Sequence, residues 1–151
     1  MLKKILNEKT CANCQICCSF VKADAWETPV FYEERVDYNK DWFKKYGKCS
    51  HTLKFNFKDD KEIKLCPYLN QKSGCTLSEE EKPFDCKIWP LRLMKIEDKV
   101  VIALSPICPG LPVSKIEEIR KLLDEGLRDK IMEKAKVPDL VKEYEKNWTI
   151  L

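Results

Sequence analysis

Two stretches of alternating apolar and polar residues, a helical repeat near the C-terminus and nine cysteines, most of them in two regions, predict an α+β fold. The architecture they describe is a small irregular domain with two short β-hairpins and C-terminal helices, stabilised by metal. Residues 1–112 are expected to form a cysteine-cluster metal-binding part. Residues 113–151 are expected to form a helical C-terminal cover packed on it.

Residues 1–10 read as a polar lead with at most one helical turn. Cys11, Cys14, Cys17 and Cys18 then fall within eight residues and are expected on a loop. The two-residue spacers let successive thiols converge on one centre, whereas adjacent Cys17 and Cys18 are expected to diverge. Residues 19–37 hold Phe20, Val21, Trp26, Val30, Phe31 and Tyr32 without a clean period, and Pro29 stops any long helix, so short extended pieces are expected. A short helix through Tyr46 is expected, capped by Asp37 or Asn39, with Trp42, Phe43 and Tyr46 on one side and Gly47 as C-cap. Thr52–Phe57 alternates strictly, Lys58–Lys61 makes a turn and Glu62–Leu65 returns. That predicts the first hairpin, with Leu53, Phe55, Phe57, Ile63 and Leu65 on its apolar face.

The hairpin leads into Cys66-Pro67, the start of a second cysteine region with Cys75 and Cys86. Gly74 permits a tight turn before Cys75. Ser78 to Glu81 can begin a helical turn, and Pro67, Pro83 and Pro90 keep the region stiff, which lowers the entropy lost on pinning its thiols. Leu91–Ile96 and Val100–Leu104 predict the second hairpin, and its exit carries Cys108-Pro109. From Ser114 the period becomes helical: a capping box Ser114/Glu117 precedes Ile116, Ile119, Leu122, Leu123, Leu127 and Ile131. Pro138 can open a last helix with Leu140, Val141, Tyr144 and Trp148 on its apolar side.

A net charge of +3, from 28 basic and 25 acidic side chains, is too balanced to argue for nucleic acid or an anionic membrane. The N-terminus lacks the apolar run and small-residue cleavage site of a signal peptide. No stretch approaches the roughly 18 apolar residues of a membrane span. A cytoplasmic protein is expected, with no nucleic acid and no membrane as partner. In that compartment thiols stay reduced, so clustered cysteines point to metal before disulfides.

Thiolate selects soft or borderline metals: zinc, iron–sulfur clusters or Cu(I). Cys49 stands alone, and pairing it with His51 as a nucleophile leaves no orienting third group. Eight thiols remain: Cys11, Cys14, Cys17, Cys18, Cys66, Cys75, Cys86 and Cys108. The Cys11, Cys14, Cys17 spacing suits three irons of a four-iron, four-sulfide cluster, with Cys66-Pro67 or Cys108-Pro109 supplying the fourth ligand. Cys11 and Cys14 equally make one knuckle of a zinc site, although no second two-residue knuckle follows outside the first cluster. A mixed arrangement with two centres also accounts for the adjacent Cys17 and Cys18. No glycine-rich nucleotide cradle is present. These features describe an iron–sulfur or zinc module, redox-active or structural, working with a protein partner. A metal store or carrier fits less well with so many core aromatics.

The order Cys11-x2-Cys14-x2-Cys17-Cys18, Cys66-Pro-Tyr-Leu, Gly74-Cys75-Thr-Leu, Pro83-x-x-Cys86 and Trp89-Pro90 resembles the CxxCxxCC family of zinc- or iron-chelating cysteine-cluster domains. The resemblance covers roughly residues 11–110. It implies that Cys11, Cys14, Cys17, Cys18, Cys66, Cys75 and Cys86 are metal ligands, with Cys108 a further one. The family is similar to the cysteine-rich part of flagellin lysine N-methylases, which implies an alternative activity: an S-adenosylmethionine-dependent lysine N-methylase or its subunit. Two departures stand out. Lys82 precedes Pro83 where the family often has arginine, and Gln15 follows Cys14 where many members have glycine.

Overall fold

The computed structural model of the chain describes residues 2, 5–6, 8–21, 28–37, 39–47, 51–58 and 61–151. Trp26, Cys49 and turn residues 59–60, all named above, lie outside them. Helices and strands are mixed, as an α+β fold requires. Two compact units divide the chain: Cys11–Lys87 is one, and Met1–Thr10 with Ile88–Leu151 is the other.

The first unit is built from short pieces. Helix α1 (Glu8–Cys14) and a 3-10 turn (Ile16–Cys18) replace the loop expected for the first cysteines. Strand β1 (Ser19–Phe20) follows, then β2 (Phe31–Tyr32), β3 (Phe43–Lys45) and β4 (Thr52–Phe55). Next come β5 (Lys64–Leu65), β6 (Leu69–Asn70), β7 (Gly74–Cys75) and helix α2 (Phe84–Ile88). Strand β4 is central in a sheet of order β2-β4-β3, antiparallel on both sides, with Phe31 opposite Leu53 and Phe43 opposite Phe55.

Two expectations fail here. The helix through Tyr46 is instead β3. Asp37 caps only a turn, its Oδ1 accepting the Asn39 N–H at 3.2 Å, and Trp42, Phe43 and Tyr46 serve a strand because β4 offers a partner. Gly47, at φ 74°, turns the chain after that strand rather than ending a helix. The first hairpin is also absent: β4 pairs with β2 and β3, whereas β5 pairs with β1. The face changes with the partner, since one residue of register exchanges the two sides of a strand. Lys64 is buried while Ile63 and Leu65 are 54% and 47% exposed. Burying a lysine stem is tolerable because the aliphatic chain packs as an apolar group. Lys54 in β4 shows the same behaviour, its Nζ lying 4.2 Å from the Tyr46 ring centroid.

The core of this unit is aromatic. Phe20, Phe31, Phe43 and Phe55 are buried with Leu53, Cys66 and Leu77, and Cys18, Trp42, Phe57 and Tyr68 pack against them. Phe55 is the hub, with ring centroids 5.0 Å from Phe31, 5.6 Å from Phe57 and 5.7 Å from Phe43.

The second unit holds the hairpin that the alternation predicts. Strands β8 (Leu91–Ile96) and β9 (Lys99–Leu104) pair from Leu91↔Leu104 to Ile96↔Lys99, leaving Glu97 and Asp98 as a two-residue turn. Glu97 takes φ 53°, the left-handed conformation such turns need. Helix α3 (Ile116–Leu122) leads into Leu123–Leu127, where Gly126 at φ 99° kinks the chain, and then α4 (Arg128–Met132), which packs on β9. Ile119, Leu123 and Ile131 are buried, as their spacing predicts. The Ser114 capping box does not form, because a 3-10 turn (Val113–Lys115) precedes α3 and no side chain caps it.

The helix expected from Pro138 is also corrected. A single 3-10 turn (Pro138–Leu140) gives way to β10 (Val141–Glu143) and later β11 (Thr149–Ile150). Strand β10 runs parallel to β8, and β11 runs antiparallel to β9, giving a four-stranded sheet of order β10-β8-β9-β11. The open edges of the hairpin outweigh helical propensity, since each supplies unpaired backbone groups. Residues 113–151 are therefore partly strand rather than an all-helical cover. No described helix is long and apolar enough to cross a membrane.

Candidate metal centre

Cys11 and Cys14 lie three residues apart on α1, hence on one helical face. Gln15 ends the helix by adopting φ 56°, a left-handed conformation costly for a side chain with a Cβ. Two hydrogen bonds offset that cost. Its Nε2 donates to Ala12 O at 3.0 Å and to Gln71 O at 2.9 Å. The second bond ties the first cysteine segment to the turn between β6 and β7. Cys17 and Cys18 follow on the 3-10 turn, with the Cys18 N–H donating to Gln15 O at 2.9 Å.

Cys66 comes directly after β5. Its N–H donates to Cys18 O at 2.8 Å, so the β1–β5 ladder extends to this pair. Cys75 lies in β7, opposite Leu69. Gly74 explains how β7 reaches α1: its φ is +84°, and a Cβ there would lie 3.2 Å from both Cα and Cβ of Ala12. The tight turn expected at Gly74 is thus also a close approach beside Cys11 and Cys14. Asn70 shapes the same hairpin, its Oδ1 accepting the N–H groups of Lys72 and Ser73 at 2.9 and 3.1 Å.

These segments bring Cys17, Cys18, Cys66 and Cys75 into one neighbourhood. The Sγ atoms of Cys17 and Cys18 stand 4.0 Å apart, which corrects the expectation that adjacent side chains diverge. Cys18 bears the electrostatic cost. The hydrogen bond from Cys17 favours its thiolate. The Cys66 thiol contact, burial and the charges of Cys66 and Cys75 outweigh it and push the Cys18 thiol up to about 12. Thiols crowded this way resist ionising together, and a cation among them reverses the balance.

Cys86 and Cys108 come from two further elements. Cys86 is exposed on α2. Its neighbour Asp85 is buried and accepts the Val30 N–H at 3.0 Å, which anchors the helix. Cys108 belongs to the other unit, buried in the turn after β9, where Gly110 approaches the Leu6 side chain. His51 is exposed, with Nδ1 3.6 Å from Glu33 Oε2. No disulfide joins any two of the eight described cysteines.

Among the described residues, no group of three or more histidine, cysteine, aspartate or glutamate side chains stands at metal-holding geometry. The donor chemistry nevertheless fits a soft or borderline cation. A tetrahedral zinc ion with Zn–S bonds of about 2.3 Å sets its sulfurs about 3.8 Å apart. The Cys17–Cys18 separation is near that edge length. On a four-iron cluster each thiolate takes a different iron, which sets the sulfurs farther apart. No family model, curated protein or solved structure matches the chain.

Proposed function

We propose that this chain is a metal-binding cysteine-cluster protein in which Cys17, Cys18, Cys66 and Cys75 hold a structural zinc ion. The observation that carries the reading is the Cys18 thiol, 4.0 Å from Cys17 Sγ, with Cys66 and Cys75 close enough to act on its charge. Zinc would need thiolates from these three segments and would supply the positive charge that their crowding demands. Its role is to fasten the Ile16–Cys18 turn, the end of β5 and β7 together.

The test is anaerobic purification of the full chain, with elemental analysis and a visible spectrum from the same sample. A colourless protein with at least one zinc per chain is expected, and Cys18→Ser should lower that content. Iron and sulfide with a broad visible band would retain chelation but replace zinc by a cluster. Folded protein without metal, its thiols all accessible to titration on unfolding, would overturn the reading.

A further inference from the structure

Cys18 and Cys66 are more than neighbours in a thiol cluster. Ser19 pairs with Leu65 and Phe20 with Lys64 in the β1–β5 ladder. One step further along, Cys18 faces Cys66, and the Cys66 N–H to Cys18 O bond of 2.8 Å shows that the ladder still holds. Directly opposed residues project to the same face of an antiparallel pair. Here that face is the buried one, shared with Phe20 and Lys64. A hydrogen-bonded antiparallel pair sets its Cα atoms about 5.5 Å apart, inside the range of about 4.4–6.8 Å that a disulfide spans. The Cys66 thiol lies near enough to Cys18 to act on its ionisation.

Cys17 is the competing partner. Its Sγ is 4.0 Å from that of Cys18. Adjacent Cα atoms, however, are held about 3.8 Å apart across a trans peptide, below the disulfide range. Bridging Cys17 to Cys18 strains the backbone, whereas the spacing of an opposed antiparallel pair falls within the disulfide range.

We infer that Cys18 and Cys66 form a reversible cross-strand disulfide when the protein meets a peroxide, a redox switch within the thiol centre. One thiol of the pair takes an oxygen from hydrogen peroxide, giving a sulfenic acid and one water. The second sulfur displaces hydroxide from that sulfenic sulfur, and its own proton completes the second water. Two thiols and one peroxide thus yield one disulfide and two waters, and a dithiol reductant reverses the change. The consequence for metal rests on the zinc reading above: the disulfide withdraws two of four thiolates, and the ion leaves.

The experiment uses the full chain as purified, treated with hydrogen peroxide to completion and then alkylated. Tryptic peptide 65–72 contains Cys66 as its sole cysteine, and peptide 10–22 contains Cys11, Cys14, Cys17 and Cys18. The expected result is a loss of two thiols per chain and a cross-link between these peptides. Fragment ions should place it at Cys18, and dithiothreitol should restore both thiols. Cys17→Ser should keep the cross-link. Released zinc, followed with a chromogenic chelator, should rise in step with the disulfide. A dominant Cys17–Cys18 bridge, a cross-link lost in folded Cys17→Ser, or Cys66 left reduced while other thiols oxidise would overturn the inference. Protein that carries no metal yet forms the Cys18–Cys66 bridge would sustain the switch and sink the zinc reading alone. If Cys17→Ser does not fold, the fragment ions from the natural sequence decide.

Discussion

Phe55 and Ile63 make opposite demands on the two ways of pairing residues 52–65. A hairpin closed by a turn at 58–61 puts both on one core face. The observed sheet, β2-β4-β3, buries Phe55 completely and leaves Ile63 54% exposed. Truncating each to alanine therefore separates the arrangements. Phe55→Ala removes a ring that meets Phe31, Phe43 and Phe57 within 6 Å and Phe20 at 6.1 Å. Such a change costs about 3–5 kcal/mol through lost transfer and the cavity left behind. The lost aromatic contacts favour the upper part of that range. Ile63→Ala removes atoms that are half in water and should cost less than about 1 kcal/mol.

Native-state amide exchange at β4 reads both changes, since that strand is central in its sheet. At about 1.4 kcal/mol per decade, Phe55→Ala should lower protection of the β4 amides by two to four orders of magnitude. Ile63→Ala should change it by less than about one order. Metal content must be equal in the three proteins, because a ligand lost on mutation would mimic a core defect. An Ile63→Ala cost above about 2 kcal/mol, approaching that of Phe55→Ala, would refute the observed pairing and restore the hairpin.

Gly74→Ala meets both a left-handed φ of +84° and Ala12 at 3.2 Å, so it should lower metal content and the melting temperature together. Gly126→Ala has open space around the new Cβ but a φ of +99°, so it should cost about 1–2 kcal/mol by denaturant unfolding with metal content unchanged. Asp85→Ala leaves the buried Val30 N–H without its carboxylate and should cost about 1–3 kcal/mol, seen as faster exchange of that amide. Glu81 accepts the Ser78 N–H at 2.9 Å; that bond first, and the Ser78 hydroxyl second, hold its carboxyl below the usual range. Its stabilising contribution is therefore present above the unfolded-state value and is lost as pH falls through the lower folded value. A carbon-detected NMR titration should show Glu81 rising part of the way toward the ordinary value in Ser78→Ala, which removes the hydroxyl and keeps the N–H, and no rise would dissociate the hydroxyl from the shift.

Legibility from sequence followed the distance over which each element is decided. The Leu91–Leu104 hairpin was readable because two apolar runs around a short polar turn are local signals, although the turn expected at Glu97, Asp98 and Lys99 is one residue shorter, with Lys99 paired to Ile96. Ile119, Leu123 and Ile131 were readable because helical spacing is local too. Phe43–Lys45 was not, since Trp42, Phe43 and Tyr46 fit a helix face until β4 supplies hydrogen bonds. Val141–Glu143 became a strand through β8, some fifty residues earlier, which no local window contains. The capping box misled by position rather than type: it fails at Ser114, whereas Ser78 and Glu81 form one by reciprocal bonds of 2.9 and 3.3 Å. At the candidate centre, spacing singled out the thiols. Their grouping depended on register, because Ser19-Phe20 has no strand signal and only its pairing with Lys64-Leu65 sets Cys18 against Cys66.

Those short ladders bear on what a metal would do here. Strands β1, β5, β6 and β7 are two residues each, and their two sheets have two strands apiece. Isolated two-stranded pairs are marginal in water even when longer than these. The β8–β9 hairpin has six residues per strand and a partner on each edge, and it sits in a unit with buried helical residues. The Cys11–Lys87 unit has its aromatic core around β4, but β6–β7 carries little of it. Closing chain segments from Cys17 to Cys75 through one ion removes loop entropy from the unfolded chain, which these ladders alone offset poorly. The thiols lie where the backbone network is thinnest, at Cys18 and Cys66 on the end of one two-residue ladder and Cys75 within another. A metal at that position acts first on folding, and a disulfide between Cys18 and Cys66 would preserve the β1–β5 closure while freeing β7.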